Sequence, residues 1–314
     1  MKKRSICILM ILMLLVSLIG CNDDPETGTG DQVVINPISD AGSTQTKNVT
    51  LYYKYAYTDM LAGQSRSIIA PVNERIELVV LNELIAGPGL RRTEFVQILN
   101  SSTKVQKITN DGSVLTIIFS KDLLNFIIPD GLTTREININ KRLAFYSIVN
   151  TMIEVSDCSE VQILVDTDGN GKGERISLIK AGFEQEGFLG PLGFNAENIL
   201  TPQNTMLTVF DAMLRKDYEE IYYYVAFYDT DNKSKPDEGI FVSRMFETLP
   251  TLESFDILNT IISNDGQTAY LLSNYSLRYA GNLRQYSDIP IKLIKENDTW
   301  KIRYSHFEKL FLEV

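Results

Sequence analysis

"EVQILVDTDGNGKGERISLIK", residues 160–180, holds two apolar runs around a turn rich in glycine and acids. Asp166, Asp168 and Asn170, followed by Gly171, have the spacing of the first half of a calcium-binding loop. Lys172 would offer a carbonyl at the seventh position and Glu174 stands at the ninth. The twelfth position, where such a loop needs a bidentate glutamate, is Ser177. The flanks, "EVQILVD" and "ERISLIK", read as strands rather than helices. The stretch is therefore expected to be a hairpin turn, with Gly169, Gly171 and Gly173 supplying the backbone freedom that turns need. A weak calcium site at Asp166, Asp168, Asn170 and Glu174 is the alternative; no other cofactor is expected.

Working outward, "VTLYYKYAY" alternates in the manner of a strand, and "PVNERIELVVLNELIAGPG" reads as a helix stopped by Gly87-Pro88-Gly89. "AGPG" follows a helix instead of opening one, so it is a cap and turn and not a phosphate loop. Asn110-Asp111-Gly112 joins two strand patterns in "TKVQKITNDGSVLTIIFS". A second helix covers about 136–155, with Ala144, Ile148 and Met152 on one face. The order predicts an α+β fold, a sheet with helices on one side, for a domain spanning 48–195.

"VNERIELVVLNELIAGPG", "DGSVLTIIFSKDLLN", "LAFYSIVNTM" and "VQILVDTDGNG" follow one another as in the GerM domain, the sporulation and germination module of spore-forming bacteria, which this segment resembles. The resemblance implies an α/β sandwich similar to ring-building modules, acting by protein contact, with no catalytic signature.

A second domain is expected over 200–314. "TPQNTMLTVFDAMLRKDYEEIYYYVAF" gives two short helices, the first capped by Thr201 with Pro202 next. The runs "LESFDILNTIIS", "GQTAYLLSNYSLRYAG", "IPIKLIKEN" and "TWKIRYSHF" follow as strands. Helices followed by an antiparallel meander ending in "DTWKI" resemble the nuclear transport factor 2-like cone. Tyr218 and Tyr222 share one helical face, either as packing or as the wall of a small-ligand pocket in that cone.

The N-terminus sets the compartment. Lys2, Lys3 and Arg4 precede the uncharged run "ICILMILMLLVSLIG", the pattern of a secretory signal peptide over residues 1–20. Leu18-Ile19-Gly20-Cys21 resembles the lipobox of bacterial lipoproteins. That resemblance implies cleavage between Gly20 and Cys21, acylation (palmitate) of Cys21, and a location on the outer side of the cell membrane. Residues 21–47, rich in Asp, Gly and Thr, form a flexible tether on the order of 30 Å long.

Without the signal peptide the formal charge goes from −10 to −13, because three cations and no anion leave with it. That balance argues against nucleic acid as a partner. Cys158 is then a lone thiol between a helix and a strand, and His306, the single histidine, falls on an expected edge strand. The acidic "DTDNKSKPDE" (229–238) reads as a solvated loop. The leading expectation is a non-enzymatic envelope lipoprotein that binds another envelope or spore protein, or itself. A receptor holding a small ligand in the C-terminal cone is second, and an enzyme third.

Overall fold

A computed structural model describes residues 43–90 and 92–312. Cys21, the signal peptide and nearly all of the tether lie outside the described residues. The described residues belong to one compact unit.

β1 (Thr44–Tyr55) and β2 (Leu61–Pro71) form a long antiparallel hairpin in register from Thr44↔Pro71 to Lys54↔Leu61. β1 begins ahead of the boundary expected at 48. β2 was not foreseen, because Gly63, Ser65 and Ser67 interrupt its apolar pattern. Gly63 is there for space: a Cβ would lie 2.5 Å from Thr50 Cγ2. β3 (Phe95–Val96) pairs with the end of β1, giving the order β2-β1-β3.

α1 (Ile76–Ala86) ends at Gly87, whose φ of 97° suits glycine. β4 (Val105–Asp111) and β5 (Val114–Ser120) form the hairpin expected at Asp111-Gly112. α2 (Thr134–Val155) starts with a capping box between Thr133 and Glu136. β6 (Glu160–Asp166) then pairs parallel to β5. β7 (Glu174–Arg175) and β8 (Leu192–Gly193) complete a second sheet. Two sheets thus replace the single expected sheet, with α2 packed against both β1 and β6. Only two residues of "ERISLIK" are strand.

α2 carries polar residues on a buried face. Ser147 and Thr151, one turn apart and almost fully buried, serve the backbone of Tyr52 on β1. The Tyr52 amide donates to Thr151 Oγ1 at 3.1 Å, and Ser147 Oγ donates to the Tyr52 carbonyl at 2.6 Å. A helix here supplies what a neighbouring strand would. Asn150 exchanges two hydrogen bonds with the backbone of Asn195, at 2.9 and 3.1 Å.

The C-terminal half places α3 (Pro202–Arg215), α4 (Tyr218–Tyr223) and α5 (Glu238–Thr248) before a four-stranded antiparallel sheet. Its strands are β9 (Thr251–Ile262), β10 (Thr268–Tyr279), β11 (Asn282–Glu296) and β12 (Thr299–Ile302), in spatial order β12-β11-β10-β9. The last residues, expected as strand, form α6 (Tyr304–Phe311). Phe210, Phe241, Phe307 and Phe311, all fully buried, fill the space between helices and sheet. Phe210 stacks on Phe255 with ring centroids 4.7 Å apart.

The two halves are joined by backbone and by rings. Leu61 on β2 donates to Asn198 and accepts from Leu200, at 2.7 and 2.8 Å. Tyr57 stacks on Tyr223 at 3.6 Å, and Arg92 pairs with Asp298 at 3.1 Å.

Candidate functional site

The 166–174 loop closes on itself. The buried Asp166 carboxylate accepts from the amides of Gly169, Asn170 and Gly171 at 2.8, 3.1 and 2.9 Å. These bonds, led by that from Gly171, hold its carboxyl below the usual range. Asn170 Oδ1 accepts from the Lys172 amide at 2.8 Å, and Glu174 accepts from the Thr167 hydroxyl at 2.8 Å. Gly169 and Gly171 take φ values of 74° and 77°. Among the described residues, no group of three or more His, Cys, Asp or Glu is gathered as for a metal ion. The oxygens of Asp166, Asn170 and Glu174 are directed to the loop's own donors.

Tyr218 and Tyr222 are taken up in packing against α5. Tyr218 meets Phe246 edge-on at 4.7 Å, and Tyr222 meets Phe241 at 5.4 Å. Lys235 covers the outer side: its ammonium lies 3.5 Å above the Tyr222 ring and donates to the carbonyls of Tyr222 and Val225 at 2.6 and 3.0 Å. Burial, with repulsion from Lys301, lowers the Lys235 pKa to about 8. Nothing in the local sequence marks this lysine, which sits in the acidic stretch expected to be a solvated loop. Asp229 of the same stretch is also engaged. Its carboxylate accepts from the amide and hydroxyl of Ser305, both at 2.7 Å, and so caps α6 from another part of the chain.

Cys158 is buried between α2 and β6, its sulfur 2.9 Å from Ser156 Oγ. His306 lies on α6 rather than on an edge strand. Its Nε2 accepts from the Lys292 amide at 3.0 Å, which places the ring proton on Nδ1. Burial first, then Lys309 and Lys292, hold its pKa below the ordinary histidine value.

A surface of another kind lies on β2. Its outer edge is paired at Leu61 by residues 198–200 and is terminal in its sheet from there to Pro71. Ile69 and, just beyond the strand, Val72 are 66% and 56% exposed. A row of backbone donors and acceptors that is unpaired among the described residues, beside exposed apolar side chains, is a template for an added strand.

Residues 50–168 match the family model described as Germane: Sporulation and spore germination. The matched segment runs from β1 through β6 into the 166–174 loop and contains the β2 edge. Among solved structures, the chain is similar to the tandem GerMN domains of the sporulation protein GerM from Bacillus subtilis. Identity is 16%, 55% of this chain and 49% of that one are covered, and the TM-score is 0.34. It is also similar to a proposed lipoprotein from Clostridium perfringens, at 17% identity, 40% and 76% coverage, and a TM-score of 0.25. The chain thus spans about half the length of the first of these structures. No curated protein matches it. No described helix is long and apolar enough to cross a membrane.

Proposed function

We propose that the chain is a non-enzymatic, lipid-anchored envelope protein that works by protein contact in sporulation or spore germination. The β2 edge of the matched segment carries this reading: a strand terminus with Ile69 and Val72 exposed, inside residues 50–168. The partner is another envelope or spore protein, or a second copy of the chain. Lipid on Cys21 holds the folded unit outside the membrane, with the segment before β1 as its tether. In the alternative, a small ligand held by Tyr218 and Tyr222, the ligand would have to displace Phe246, Phe241 and Lys235 from those rings.

The test places a photo-crosslinking residue at Ser67 or Ile69 in the lipid-anchored protein, with Lys107 on β4 as a comparison position. Cells are irradiated during growth and during sporulation. A defined adduct from β2 positions in sporulating cells, lost when Cys21 is changed to serine, supports the reading. An uncrosslinked monomer at every position and stage refutes it.

A further inference from the structure

We infer that the cleft between β10, β11 and α6 is a binding site for a small anion bearing a phosphate group. The cleft measures about 480 Å³, within the range of small-ligand sites. Lys292 enters from β11, Arg303 from the residue before α6, and Lys309 from the second turn of α6. No carboxylate is among the residues that line it. None of these three cations has an ion-pair partner among the described residues, whereas Arg215, Lys233, Arg244, Arg278 and Lys301 in the same half are paired.

Three positive groups converging without a counter-ion repel one another, and a protein of formal charge −10 has acids to spare for pairing them. Asp229, bonded to the lining residues Ser305 and Thr230, turns its oxygens to those two partners. An anion in the cleft would relieve the repulsion and accept charge-assisted hydrogen bonds. Tyr270 and Pro290 form the less polar wall, with Lys292 Nζ 5.5 Å from the Tyr270 ring centre. That wall suits the carbon part of a phosphate ester. The same chemistry is offered by a soluble phosphate ester and by a phospholipid headgroup, and the experiment separates them.

His306 makes the site observable, because it lines the cleft and is the single histidine of the chain. Its ring resonances, followed by NMR in the folded protein, are titrated with inorganic phosphate, with glycerol 3-phosphate, and with sodium chloride at matched ionic strength. Phosphatidylcholine vesicles with and without phosphatidylglycerol form the last arm. A saturable shift with phosphate or the ester, weakened about tenfold or more in K292Q/K309Q, supports the site and a soluble ligand. A response to the phosphatidylglycerol vesicles alone, equally lost in the variant, supports the site with a headgroup as its ligand. Both side chains are exposed, so the variant is expected to keep its circular dichroism; R303Q provides a second, independent loss of charge. Shifts that merely follow ionic strength, or that persist in both variants, overturn the inference.

Discussion

The two hydroxyls that α2 lends to β1 make a measurable contribution. Thr151→Val keeps the shape of the side chain and removes the acceptor for the Tyr52 amide. Tyr52 is 6% exposed, so water has little access to the orphaned N–H. An unsatisfied buried donor costs about 1–3 kcal/mol. Ser147→Ala removes the donor to the Tyr52 carbonyl, and an acceptor left with an unused lone pair is expected to cost about 0.5–1.5 kcal/mol. Both groups belong to one residue, so the double variant should fall short of the sum. At about 2 °C per kcal/mol for a unit of this size, Thr151→Val should lower Tm by roughly 2–6 °C. The assay is thermal and urea unfolding, followed by far-UV circular dichroism and by the fluorescence of Trp300, the single tryptophan. Thr50→Val is the comparison: it makes the same exchange on β1, at a hydroxyl with no hydrogen bond among the described residues. If the two variants are equally stable to within about 0.5 kcal/mol, the helix hydroxyls are not serving the strand.

Phe210→Ala should cost about 3–5 kcal/mol, because its ring is fully buried against Phe255, Tyr275 and Phe311; a loss below 1 kcal/mol would mean that the site collapses freely. Tyr223→Ala removes the stack with Tyr57 and should destabilise by about 0.5–1.5 kcal/mol beyond the area lost, as a Tyr57/Tyr223 double-mutant cycle would measure. Lys235 has its pKa lowered to about 8 in the folded state, so from about pH 8 upward the unfolded chain holds more protons and the native state gains stability. The wild type should therefore gain on Lys235→Met between about pH 8 and 9.5, and parallel stability curves would contradict this. Millimolar calcium, or its removal by chelation, should leave Tm unchanged, since the Asp166 oxygens are held by three amides; a saturable rise abolished in Asp168→Asn would instead establish a metal site.

Much of the N-terminal half was legible. The helix α2, the hairpin at Asn110-Asp111-Gly112, the stop at Gly87 and the turn at 166–174 all follow from local chemistry. β2 was hidden because two of its outward positions are serine and its close approach to Thr50 demands a glycine, both of which imitate a loop. α5 was hidden for the opposite reason. Phe241 and Met245 are its buried residues, while Ile240 and Phe246 are exposed, so no clean stripe appears. The burial of Ser147 and Thr151 on α2 could not be read, because periodicity cannot distinguish a serine that meets water from one that completes a strand. In the candidate sites, the turn itself could be read from spacing. The engagement of Asp229 with Ser305 joins residues 76 positions apart, and Lys292, Arg303 and Lys309 come from a strand, a connection and a helix; no local pattern announces either.

The hairpin of β1 and β2 has a valence. β1 is flanked on its inner side by β3 and then by the hydroxyls of α2, whose side chains cannot be displaced by a strand without stranding Tyr52. On the β2 side of this sheet, addition would be spent by one event. Two copies meeting there would satisfy each other and stop as a closed pair. A strand from another protein would end growth equally well. Any longer array of these chains must be propagated through a different face, and this sheet would mark where a row finishes rather than how it extends.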